Sequence, residues 1–105
     1  MYTTSEVGRA GEHAVVQWLR SNRCTVTNWN TQAAGSTDIE AVGAARLLIQ
    51  VKSAVYPSQP ASLSSDEEGN IKSRATRTSA EAWEARVLLD QRLQLQSEIA
   101  WRKLN

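Results

Sequence analysis

A chain of 105 residues with 41% hydrophobic side chains has room for one compact domain, spanning 1–105, that buries roughly two thirds of its unfolded surface, and none for a second. Lys and Arg number 12 against 11 Asp and Glu, a net charge of +1, so total charge neither demands nor forbids a polyanionic partner and the placement of charges must decide. The single Cys24 excludes an intrachain disulfide and a zinc site shared with a second cysteine. No cationic and then apolar leader opens the chain and no apolar run approaches bilayer length, so a soluble cytoplasmic protein with no membrane partner is expected.

In chain order, the first element reads as a helix from about Ser5, a plausible N-cap, to about Ser21. Val7, Ala10, Gly11, Ala14, Val15, Trp18 and Leu19 fall at helical spacing and form one apolar stripe that must pack on a sheet. Glu12 lies about 100° around the helix from the centre of that stripe, where a carboxylate borders the core yet can point into a cleft. Taken alone, a helix acid of this kind is ordinarily solvated. Gly8 and Gly11 weaken the helix by roughly 1 kcal/mol each relative to Ala, which points to close approach of another backbone or a ligand. His13, the only histidine, projects from the opposite face and is left out of the site.

Residues 24–30, after a turn at 21–23, are β-prone and alternate loosely, as suits a strand near a sheet edge. Residues 31–37 read as a flexible connection. The stretch 38–52 then organises the chain: two aliphatic runs, 38–42 and 46–52, flank Gly43-Ala44-Ala45 and read as a β-hairpin. Alternation puts Asp38, Glu40 and Val42 on one face, and Leu48, Gln50 and Lys52 on one face of the partner strand. An acid, an amide and an amine can therefore converge, as a reactive site or as an Asp38–Lys52 ion pair.

Pro57 and Pro60 carry the chain away from the strand. Ser64 or Ser65, with Glu67 or Glu68 three residues on, is a capping-box signature for a second helix running to about Thr78, interrupted by Gly69 and Asn70. Lys72, Arg74 and Arg77 would project from it as a basic cluster, either solvated or lying on phosphates. From Ala82 onwards period-two alternation returns in two segments, on either side of Asp90-Gln91-Arg92. A single long helix is the alternative; strands are preferred because Leu93, Leu95, Ile99 and Trp101 share a strand face but scatter around a helix. The order is α-β-β-β-α-β-β, an α/β fold with a mixed sheet of about five strands flanked by helices.

Glu12 within Gly8-Arg9-Ala10-Gly11-Glu12, Asp38 within Ser36-Thr37-Asp38-Ile39, and Gln50-Val51-Lys52 resemble the site of the PD-(D/E)xK nuclease superfamily, which has the restriction endonuclease-like fold. The arrangement is similar to that of archaeal Holliday-junction resolvases and of Mrr-type endonucleases carrying Gln-x-Lys. Two departures stand out: no proline precedes Asp38, and Gln50 replaces the usual acid. The resemblance implies a Mg²⁺- or Mn²⁺-dependent DNA endonuclease, possessing a junction-resolvase-like preference, acting as a homodimer in recombination or repair and open to a protein partner there. It implies that Asp38 anchors the metal, Glu12 completes or water-bridges the site, and Gln50 offers its amide oxygen beside the Val51 carbonyl. Lys52 would position or deprotonate the attacking water and steady the anionic transition state. With Gln50 neutral, metal should bind more weakly than at three carboxylates; Glu40 could restore the charge, although an outward salt bridge suits it better. Two other classes stay open: a nucleic-acid-binding accessory factor for a recombinase or nuclease that keeps the fold without turnover, and a protein-interaction module such as an antitoxin or inhibitor.

Overall fold

The fold is that of a computed structural model, which describes residues 1–29 and 37–105. Except for Thr37, the connection expected over 31–37 lies outside the described residues. Helix α1 spans Thr4–Ser21. Its N-cap is Thr3 rather than Ser5, because Thr3 has Glu6 three residues on and the two close a reciprocal capping box: Glu6 N donates to Thr3 Oγ1 at 3.1 Å and Thr3 N to Glu6 Oε1 at 2.9 Å. Strands β1 (Thr25–Trp29), β2 (Ile39–Val42) and β3 (Arg46–Val55) follow, then helix α2 (Ser65–Thr78), β4 (Glu81–Leu89) and β5 (Ala100–Lys103). Ser64 caps α2 through the box with Glu67, so Gly69 and Asn70 are carried inside an intact helix.

The sheet order is β1-β2-β3-β4-β5. Neighbours are antiparallel except β3 and β4, which run parallel and are joined through α2. A parallel pair needs such a crossover, and α2 supplies it. Each face then acquires its own helix. On one side Val15, Val16 and Leu19 of α1 pack with Ile39, Ala41, Ile49, Val51, Ala85 and Val87. On the other, Ile71 and Ala75 of α2 pack with Leu48, Leu63, Ala82 and Leu104. Alternation along β3 explains the division: Ile49 and Val51 turn to α1, while Leu48, and with it Gln50 and Lys52, turn to α2.

Two strand expectations change. Strand β3 continues past Lys52 to Val55 because its parallel pairing with β4 extends to Val55↔Leu89. The last strand begins at Ala100, not near Leu93. Asp90 Oδ1 accepts the N–H groups of Arg92 at 2.8 Å and Gln94 at 3.0 Å, and Leu93 takes a left-handed φ of 60°, so the alternating run after Asp90 is folded into a turn. Trp18 of α1 lies 4.8 Å, ring centroid to ring centroid, from Trp101, which meets Trp83 edge-on at 6.2 Å. Among the described residues no helix is long and apolar enough to cross a membrane.

Candidate active site

Asp38 stands at the entrance to β2, its N–H donating to Ile49 O at 3.0 Å. Its side chain turns back on β3, where Oδ2 accepts the Val51 N–H at 2.8 Å. The carboxylate is thereby pinned to the strand backbone midway between Gln50 and Lys52. Burial pushes the Asp38 carboxyl above the ordinary aspartate range; the Val51 N–H and the Lys52 charge oppose this, and the Glu67 charge adds to it.

Glu12 reaches the same region from α1. Gly11 makes that approach possible: a Cβ built there would fall within the Ser53 hydroxyl and 2.7 Å from Ser53 Cβ, so α1 lies directly on β3 at this turn. Gly8 faces open space. Glu12 Oε1 accepts the Trp29 Nε1–H at 2.9 Å. Burial raises the Glu12 carboxyl, the Trp29 bond lowers it, and the charge of Asp38 raises it again. Gln50 is buried, 8% exposed, one strand from Glu84, with which it is in register. Glu84, only 2% exposed, accepts Arg102 Nε at 2.9 Å and the Leu63 N–H at 3.0 Å.

Lys52 does not pair with Asp38 among the described residues. Its Nζ donates to Glu67 Oε2 at 2.8 Å. The reading of the sequence assigns Glu67 to the α2 cap alone; that spacing carries no sign of a partner on β3. The structure thus brings Glu12, Asp38, Gln50 and Lys52 to one end of the β2–β3 pair, with Glu67 beside them. Glu40 turns to Arg74 of α2, Oε2 to Nη2 at 2.7 Å, and both are half-buried. Lys72 lies on the other side of α2, 3.8 Å from Glu68, and Arg77 is exposed in the last turn. Lys72 therefore stands apart from the other two, as a separation of two residues, about 200° of rotation, requires, while Arg74 and Arg77, three residues apart, lie only about 60° from each other.

Among the described residues no three His, Cys, Asp and Glu side chains are grouped closely enough to hold a metal ion. The donor set is two carboxylates, each raised by burial and near enough for Asp38 to act on Glu12, with the Gln50 amide. All are hard oxygen donors, and two carboxylates suit Mg²⁺, which keeps several of its waters. The chemistry of these donors suits such an ion. An open groove of about 730 Å³ runs past Lys52 and Ser53 toward Val7, Gly8 and Tyr2 at the start of α1.

No protein-family model matches the chain, and no curated protein matches it by sequence. Among solved structures it is similar to Hjc, a Holliday junction resolvase from the archaeal hyperthermophile Archaeoglobus fulgidus, with 22% identity, a TM-score of 0.67, and coverage of 92% of this chain and 77% of that one. The likeness establishes the fold: a restriction endonuclease-like α/β architecture, resembling that of the resolvase, with a mixed sheet of five strands and two helices.

Proposed function

We propose that the chain is a metal-dependent DNA endonuclease with a preference for branched substrates. The observation that carries this reading is the Asp38 carboxylate held on the Val51 N–H between Gln50 and Lys52, with Glu12 brought up to it from α1. An Asp38–Lys52 ion pair, the structural alternative, would leave Asp38 no reason to sit on the strand backbone and Lys52 no reason to turn to Glu67. A divalent cation such as Mg²⁺ or Mn²⁺, held by Asp38, Glu12 and the Gln50 amide oxygen, supplies when bound a water activated near neutral pH and a counter-charge for the phosphate. Asp38 stays fixed through its backbone bond. Lys52 orients the attacking water and donates to the anionic phosphate as charge builds there. Lys72, Arg74 and Arg77 would contact phosphates more distantly.

One copy offers one such site, so cutting both strands of a junction calls for a homodimer, and recombination or repair is the fitting context. A second reading follows from Gln50: with two carboxylates in the donor set and, among the described residues, no cluster of three, metal affinity falls, and a DNA-binding accessory factor with weak turnover results. Calorimetric titration of Mn²⁺ into the wild type and Asp38→Ala, beside cleavage of branched and linear DNAs, separates the two. Metal binding lost with Asp38 and cleavage by the wild type support the nuclease; DNA binding that needs no metal, with no cleavage, supports the accessory factor.

A further inference from the structure

We propose that Glu67, at the start of α2, is the positioning residue of Lys52, fixing its ammonium group toward the site; this rests on the nuclease reading. The two oxygens of Glu67 have separate tasks. Oε1 accepts the Ser64 N–H at 2.9 Å and closes the cap of α2, while Oε2 accepts Lys52 Nζ at 2.8 Å. A capping box needs only an acceptor at this position, and Gln serves it as well as Glu. The favourable charge at the helix N-terminus is already provided by Asp66 and Glu68 in the same turn. The cap therefore accounts for the length of the side chain, and Lys52 accounts for its charge.

Lys52 requires such a partner. Its four-carbon stem leaves the ammonium free among many rotamers, and an ordered position carries an entropic cost that a fixed acceptor offsets. Side-chain exposures of 25% for Lys52 and 37% for Glu67 leave the pair partly shielded from water. An ammonium has three donors, so the bond to Glu67 leaves two for a water or a phosphate oxygen. The consequence is that α2, whose packing otherwise closes one face of the sheet, also sets the geometry of the reaction.

The test uses Glu67→Gln, which keeps the cap and removes the charge, and Ser64→Ala, which weakens the cap and keeps the charge. Two measurements are made: reductive methylation of Lys52 followed by mass spectrometry, with Lys72 and Lys103 as internal references, and single-turnover cleavage of a branched DNA with Mg²⁺. For Glu67→Gln we expect methylation of Lys52 to rise several-fold, single-turnover cleavage to fall about ten- to a hundredfold, and DNA affinity and melting temperature to stay near wild type. Ser64→Ala should lower the melting temperature by a few degrees while Lys52 stays protected and cleavage holds. Unchanged labelling and cleavage in Glu67→Gln overturns the proposal, as does a rate loss that follows the cap in Ser64→Ala instead of the charge. Failure of the wild type to cleave any DNA overturns the nuclease reading and the catalytic role with it, while the labelling still decides whether Glu67 holds Lys52.

Discussion

Replacing Gly11 with alanine inserts a methyl group where α1 lies on β3. The added Cβ would overlap the Ser53 hydroxyl and stand 2.7 Å from Ser53 Cβ. Ser53 is kept from retreating by its pairing with Val87 in the long parallel ladder of β3 and β4. Overpacking of this kind costs about 1–3 kcal/mol, and the better helix propensity of Ala returns about 1 kcal/mol, so the balance is a net loss of about 1 kcal/mol at the middle of that range and about 2 kcal/mol at its upper end. For a domain of this size that lowers the melting temperature by about 4–8 °C per kcal/mol. Urea unfolding followed by tryptophan fluorescence suits the measurement, since Trp18 on α1 packs at a tilt against Trp101 on the sheet. In a Ser53→Gly background both contacts vanish and Gly11→Ala should become neutral or stabilising. An equal cost in both backgrounds, or no cost in the wild type, would refute the close crossing. Because the same crossing carries Glu12 to Trp29 and Asp38, Gly11→Ala should also reduce cleavage more than its stability loss accounts for.

Asp38→Asn is expected to stabilise the metal-free protein near pH 7 while abolishing cleavage. The folded-state carboxyl is raised by burial, so its contribution to stability is present in acid and lost as pH rises through the raised value; the amide avoids that loss yet can still accept the Val51 N–H. Thermal melts should show the advantage at neutral pH, shrinking below the ordinary aspartate range. Glu84 behaves oppositely: burial pushes it up, but Arg102, the Leu63 N–H and Arg86 outweigh this and hold it below the usual glutamate range. Its contribution is present above that usual range and lost as pH falls through the lowered value, and Glu84→Ala should cost about 2 kcal/mol in urea unfolding at pH 7 by stranding the Leu63 N–H and half-exposed Arg102. DNA affinity should fall steeply with salt, and Arg77→Ala should reduce the log–log slope by about 0.9 if that residue meets a phosphate. Arg74→Ala should change it less, since Glu40 already holds Arg74.

The hairpin was legible because its information is local. Period two along 38–42 and 46–52 places Asp38, Gln50 and Lys52 on related faces, and the structure has Asp38 at the entrance to β2 and Gln50 and Lys52 on β3. The cap of α2 was equally legible, from Ser64 and Glu67 three residues apart. What Glu67 does with its second oxygen was not, because its contact with Lys52 depends on how the crossover from β3 returns α2 to the sheet. Gly8 and Gly11 look alike in sequence, yet only Gly11 meets another strand. The alternation of Leu93 and Leu95 suggested strand, but the Asp90 carboxylate captured two backbone N–H groups and redirected the chain. Trp29 as the partner of Glu12 likewise arises only once β1 is laid at the edge beside β2.

The most direct measurement is single-turnover incubation of a labelled four-way DNA junction and a matched linear duplex with the wild type, Asp38→Ala and Lys52→Ala, each with Mg²⁺ and with EDTA. The account predicts incision by the wild type in Mg²⁺ alone, faster on the junction than on the duplex, and none by either variant. Cleavage that survives EDTA or the loss of Asp38, or a folded wild type that binds the junction in Mg²⁺ and never cuts it, would contradict the account.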